Sequence, residues 1–265
     1  MQRLVIKCGG STLDRLPASF YEDFVELAQQ GWEPVIVHGG GPAISRTLEK
    51  MGIAPHFIDG LRVTDEPTLD VVKMVLLGQT NKQVVGNLEL AGGKSVGISG
   101  IDGSTIEVSP GPAHLGFVGN IEEVHPALLE TLLKGGYIPV VAPLGVEKSG
   151  QVYNINADTA AGAVAGSLGV GQLVMVTDVP GVMKEVGGEK QVLPQLTEVE
   201  IETLIAEGVI YGGMIPKVRA ALDALGNEVK EVLIINGYEP GILKQVANGD
   251  AVGTKIMKSG VRVNE

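Results

Sequence analysis

The chain has 265 residues, 38 of them glycine and 14 proline, while 44% are hydrophobic and 4% aromatic. The glycines stand singly or in short runs between apolar stretches and follow no period of three, which excludes a disordered low-complexity chain and a collagen helix. Lys+Arg number 20 against 31 Asp+Glu, a net charge of −11, and that balance argues against nucleic-acid or anionic-membrane partners, which select clustered positive charge.

The length allows one large domain or two moderate ones. The chain opens on the buried-strand run Leu4-Val5-Ile6, ending at Lys7 and followed by Gly9-Gly10. Residues Pro17 to Gln30 place Phe20, Phe24, Leu27 and Ala28 on one helical face, with Pro17 at the start and Gly31 as the C-terminal cap. A strand at Pro34 to His38, three glycines and a helix from Pro42 to Gly52 complete a βαβ beginning. That pattern predicts a largely parallel sheet with ligands at the carboxyl ends of its strands.

Segments Phe57 to Thr64 and Thr105 to Val124 read as hairpins or irregular excursions, and Leu69 to Leu90 as mainly helical. Strands are predicted at Ser95 to Ile98 and Ile138 to Ala142. Val152 to Asn156 leads into an Ala- and Gly-rich helix, Ala157 to Leu168, which belongs in the interior. The alternation resumes with a strand at Leu173 to Thr177, a hairpin region through Leu196 and helices near Glu198 to Glu207 and Ile215 to Leu225. A strand at Val232 to Ile235 and a helix at about Pro240 to Ala247 follow. No linker or repeat divides the halves, and the expected boundary falls near Ser167 to Gly169, giving segments 1–167 and 168–265.

Familiar nucleotide signatures are missing. Gly93-Lys94-Ser95 has Leu88 where a P-loop needs glycine, and no G-x-G-x-x-G occurs, since the third positions after 39/41 and 169/171 are Ile44 and Val174. Four histidines form no H-E-x-x-H and Cys8 is the single cysteine, so no zinc site and no internal disulfide are expected. No apolar run approaches the roughly 18 residues of a membrane span. The opening MQRLVIKCGG reads as a strand entering a turn rather than a signal peptide. A cytoplasmic protein is the expectation.

Three glycine-rich strand ends are candidates for anion binding. Lys7 with Gly9 and Gly10 offers an ammonium beside open backbone N–H groups, although a strand-end lysine and a turn would look the same. His38-Gly39-Gly40-Gly41-Pro42 opens a helix, whose free N–H groups and dipole favour an anion; a tight βα turn is the alternative. His38 itself reads as a structural hydrogen-bonding residue. Tyr211-Gly212-Gly213-Met214-Ile215-Pro216-Lys217 again sets glycines before a helix, with Lys217 in its opening turns, a place unfavourable for a cation unless an anion offsets it. Asp158, at the start of the Ala-rich helix, has the position of either a cap or a functional carboxylate. Thr177 to Val182, with Asp178 and Gly181, suits a nucleotide or a plain turn.

Together Lys7-Cys8-Gly9-Gly10, HGGGP at 38–42, GLRVT at 60–64, NINAD at 154–158, TDVPGV at 177–182 and GGMIPK at 212–217 resemble the amino acid kinase family in this order. The resemblance spans essentially the whole chain and is closest to the N-acetylglutamate kinase branch; GLRVT and NINAD look like its acyl-amino-acid pocket. It implies an α/β fold, an αβα sandwich around a mainly parallel sheet, with the amino acid and a homodimer contact in residues 1–167 and MgATP in residues 168–265. It further implies that Lys7 and Lys217 flank the transferring phosphoryl group, with Asp158 between them orienting both. Gly40 and Gly41 would hold the reacting end of N-acetylglutamate, and Arg62 and Asn154 its α-carboxylate. Gly9, Gly10, Asp178, Gly181, Tyr211, Gly212, Gly213 and Met214 would face ATP and its Mg2+. A kinase for N-acetyl-2-aminoadipate, one methylene longer, and a non-catalytic sensor of the same fold stay open as alternatives; the retained Lys7, Asp158 and Lys217 speak against the sensor.

Overall fold

In the computed structural model, which describes residues 2–225 and 229–258, one eight-stranded sheet organises the chain. Its spatial order is Gln195–Thr197, Thr254–Met257, Glu231–Asn236, Gln172–Thr177, Arg3–Cys8, Glu33–His38, Ile138–Ala142 and Ser95–Ser99. The six strands from Glu231–Asn236 onward are mutually parallel. The first two run the other way, because Thr254–Met257 pairs antiparallel with Glu231–Asn236. The sheet continues across the expected boundary, since Arg3–Cys8 pairs with Gln172–Thr177, and residues 226–228 and 259–265 of the second segment lie outside the described residues.

Alternation along Arg3–Cys8 divides the core. Leu4, Ile6 and Cys8 point to one face, where helices Ala18–Gln29, Asn81–Leu90 and Ile242–Asn248 bury Phe20, Phe24, Leu88 and Leu243. Val5 points to the other, covered by Ala127–Lys134, Ala157–Ser167, Glu198–Ala206 and Met214–Ala224. Each fully buried Leu or Phe contributes roughly 1.5–3 kcal/mol, so both helical layers are held mainly by apolar burial. The Ala-rich helix packs closely on Met214–Ala224, as its small residues predict: a Cβ on Gly162 would lie 2.8 Å from the Ala224 carbonyl oxygen.

Several local signals act as the sequence suggests. Pro17 precedes the first long helix and Gly31 follows it at φ +91°. Phe57–Ile58 and Leu61–Arg62 form a hairpin whose turn residues, Asp59 and Gly60, both have positive φ. Other features were not anticipated. The long helical region starts at Glu66, capped by Asp65, and contains π-helical turns at Met74–Thr80. Ile106–Pro110 and Gly119–Val124 pair antiparallel as the hairpin reading of residues 105–124 expects, but they belong to an unforeseen second, four-stranded sheet with Leu144–Val146 and Val152–Asn154. No helix among the described residues is long and apolar enough to cross a membrane.

Candidate active site

Lys7 shares the face of Val5 and reaches the N-terminus of Ala157–Ser167, where its Nζ lies 2.6 Å from Asp158 Oδ1. Asn156, not Asp158, caps that helix: its Oδ1 accepts from the Asp158 and Thr159 N–H groups at 2.8 and 3.1 Å. Asp158 is therefore free for the ion pair, and its Oδ1 has no hydrogen bond besides that contact. The two side chains are only 16% and 15% exposed, so the pair is fixed beside the helix dipole.

The glycine loops after the first two strands touch each other. Gly39 N–H donates to the Cys8 carbonyl at 2.9 Å, and a Cβ on Gly10 would lie 2.9 Å from Gly40 Cα. Only glycine permits that approach. The two loops, the Asn154-to-Asp158 segment and Arg62 line one cavity of about 340 Å3, which receives the N-terminus of helix Gly41–Lys50. Helix N-terminal N–H groups and dipoles make such a cavity favourable for anions.

Arg62 is held inside it at 7% exposure. Its Nη2 donates to the Gly41 carbonyl at 3.0 Å and to Ser45 Oγ at 2.9 Å, and its guanidinium sits 4.6 Å from the Phe57 ring centre. Burial lowers the guanidinium pKa, but arginine remains charged. Nη1 is buried without a partner among the described residues. An unpaired buried donor of this kind costs free energy that a bound carboxylate recovers. Asn154 donates through Nδ2 to Thr64 Oγ1 at 3.2 Å, which turns its amide along the same wall.

A second cavity of about 530 Å3 opens from the adjoining strand, where Asp178 follows Gln172–Thr177. Tyr211, Gly213, Met214 and Lys217 line it together with Val179 and Met183. Lys217, the fourth residue of Met214–Ala224, pairs with Asp178, and that ammonium holds the Asp178 carboxyl below the usual carboxylate range. The expected bridge of Asp158 between both lysines is thus divided in this structure, with Asp158 on Lys7 and Asp178 on Lys217. Two expected nucleotide glycines do not line the cavity. Gly181, at φ +150°, is packed where a Cβ would lie 2.5 Å from Thr254 Oγ1, and Gly212 supplies a left-handed turn at φ +55°. The hairpin Met183–Val186/Glu189–Val192 contributes Lys184 and Lys190, which no sequence motif had singled out.

Residues 2–236 match the amino acid kinase family. The chain belongs to the amino acid kinase family. An acetylglutamate kinase from Brevibacillus brevis is 50% identical over 255 residues, 96% of each chain. Among solved structures, the smu.665 protein of Streptococcus mutans UA159 superposes with a TM-score of 0.81 at 30% identity, covering 96% of this chain and 98% of that one. Carbamate kinase from Giardia lamblia, at 19% identity, a TM-score of 0.67 and coverage of 97% and 99%, shares the fold. The architecture is that of this kinase family, an α/β sandwich on a mainly parallel sheet.

Proposed function

We propose that this protein transfers the γ-phosphoryl group of ATP to the γ-carboxylate of N-acetyl-L-glutamate, forming N-acetyl-L-glutamyl 5-phosphate and ADP in amino-acid biosynthesis, at the second step of the arginine route. The observation that carries this reading is full-length identity of about half with acetylglutamate kinases, joined to a cavity that offers an unpaired guanidinium N–H beside two glycine loops.

The chemistry suits the residues present. A carboxylate with a pKa near 4 is ionised at neutral pH, so the nucleophile needs no general base. A carboxylate oxygen forms the new bond to the γ-phosphorus while the bond to the β–γ bridging oxygen breaks, and ADP leaves with that electron pair. The barrier is electrostatic, since an anion approaches a polyanion. Lys7, positioned by Asp158, and the N–H groups of Gly9, Gly10, Gly40 and Gly41 neutralise charge on the acyl side, and Lys217 approaches from the nucleotide side. Arg62 and Asn154 hold the α-carboxylate. Asp178, Tyr211, Gly213 and Met214 contact the nucleotide, which enters as its magnesium complex with the ion carried on phosphate oxygens.

In this reading residues 1–167 bind the acyl amino acid and form a cytoplasmic homodimer, while residues 168–265 bind the nucleotide. Light scattering checks the dimer. Hydroxylamine trapping of the acyl phosphate checks the reaction: hydroxamate should form only with ATP and N-acetylglutamate together. Its absence, or a kcat/KM higher for the substrate one methylene longer, overturns the assignment.

A further inference from the structure

The loop from Gly39 to Gly41 is held from behind by a buried polar relay that joins His38, which acts as the structural hydrogen-bonding residue expected of it, to Asn81, which no motif singled out. His38, fully buried, places Nδ1 at 3.0 Å from the Gly39 carbonyl oxygen and Nε2 at 3.1 Å from Asn81 Nδ2. Asn81, 1% exposed, also donates from Nδ2 to the Val140 carbonyl at 2.9 Å. An amide nitrogen only donates, so Nε2 must accept and the His38 proton must sit on Nδ1. Burial lowers the His38 pKa to about 4, which keeps the ring neutral at physiological pH.

Two further observations show that the relay is built in. In the middle of Ser95–Ser99, a Cβ on Gly97 would lie 1.8 Å from Asn81 Oδ1, so the missing side chain is the slot that the amide fills. The π-helical turns that deliver Asn81 also press on the next loop residue: a Cβ on Gly40 would meet Leu76 Cδ2 at 2.6 Å and Thr80 Oγ1 at 3.3 Å.

The consequence follows from peptide planarity. In a trans peptide the carbonyl and the following N–H point in opposite directions. Pinning the Gly39 carbonyl on His38 therefore turns the Gly40 N–H to the other side, and that N–H donates to no described acceptor. Gly40 and Gly41 line the cavity. We propose that Asn81 is a positioning residue, which fixes the His38 tautomer from the Gly97 slot and so aims the Gly40 N–H at the reacting carboxylate and phosphoryl oxygens. This rests on the kinase reading above.

The test compares the native protein with Asn81→Ala, Gly97→Ala and the double variant. Each single substitution should lower kcat by about tenfold or more, with the KM for ATP within about twofold of native. Because Asn81→Ala empties the space that Ala at 97 would invade, the double variant should be no worse than Asn81→Ala alone. Imidazole 15N spectra should show His38 as the Nδ1–H tautomer in the native protein and lose that pattern in Asn81→Ala. Native kcat in both single variants, additive losses in the double, or an Nε2–H tautomer in the native protein overturns the proposal. The native spectrum decides even where a variant does not fold. Absence of acyl phosphate from the native enzyme sinks the kinase reading instead, and leaves the spectral arm standing.

Discussion

The two cavities at the carboxyl edge of the sheet are built differently. The smaller is set in advance: two glycine loops in backbone contact, a fixed Lys7–Asp158 pair, a buried Arg62 and a fully buried histidine behind them. The larger is open: Tyr211 is 69% exposed, Asp178 and Lys217 are 58% and 32% exposed, and one wall is a two-stranded hairpin. The difference teaches where precision is needed. In the proposed reading the acyl carboxylate must be aimed at phosphorus within a narrow cone, whereas the nucleotide is a large ligand that spreads its binding over many exposed contacts.

Substitutions that act on one cavity and spare the other sharpen the contrast. The largest effect is expected at the lysines. Lys7→Ala and Lys217→Ala should each lower kcat by about 10²–10³ with far-UV circular dichroism unchanged, and only Lys217→Ala should also raise the KM for ATP. Near-native turnover in either would remove that lysine from phosphoryl transfer.

Next comes a pH effect confined to the rigid cavity. His38 has a pKa of about 4 when folded against 6.5 unperturbed. Between those values the unfolded chain binds a proton that the folded chain does not, so stability should fall as pH drops from 6.5 towards 4. The loss from this group is roughly 3 kcal/mol, and the slope should shrink in His38→Asn. Denaturant midpoints across that range measure it.

Arg62→Lys should raise the KM for N-acetylglutamate by about tenfold, because a lysine cannot keep the Gly41 and Ser45 bonds and also offer Nη1. The KM for ATP should stay unchanged; a shift of both would mean that the cavities are not separable. The smallest effect belongs to the open side. Gly212→Ala meets no neighbour but strains a left-handed turn, so it should cost about 1 kcal/mol of stability and leave kcat near native.

Much of this was legible in the sequence, for identifiable reasons. Parallel buried strands are continuous apolar runs, so Leu4 to Ile6, Pro34 to His38 and Leu173 to Thr177 stood out. The motifs that line the two cavities lie at strand ends, where contiguous residues come together. Short strands such as Gln195–Thr197 and Leu144–Val146 carry too few residues for a period, and the role of Thr254–Met257 depends on pairing with a distant strand. Asn81 was invisible for the same reason: it opens a helix, and its partners, His38, Val140 and Gly97, come from three different strands. Gly181 shows the reverse. It sits inside a motif, yet it faces Thr254 rather than the cavity.

The central claim is that a carboxylate of N-acetylglutamate, held in the rigid cavity, attacks the γ-phosphorus of ATP. It is tested most directly with substrate carrying 18O in both γ-carboxylate oxygens, incubated with ATP and hydroxylamine. Hydroxylamine attacks the acyl carbon and releases phosphate with the bridging oxygen, so 31P NMR should show one 18O in each phosphate formed with hydroxamate. Phosphate without the label would mean that water, and not the carboxylate, takes the phosphoryl group, and would contradict the account.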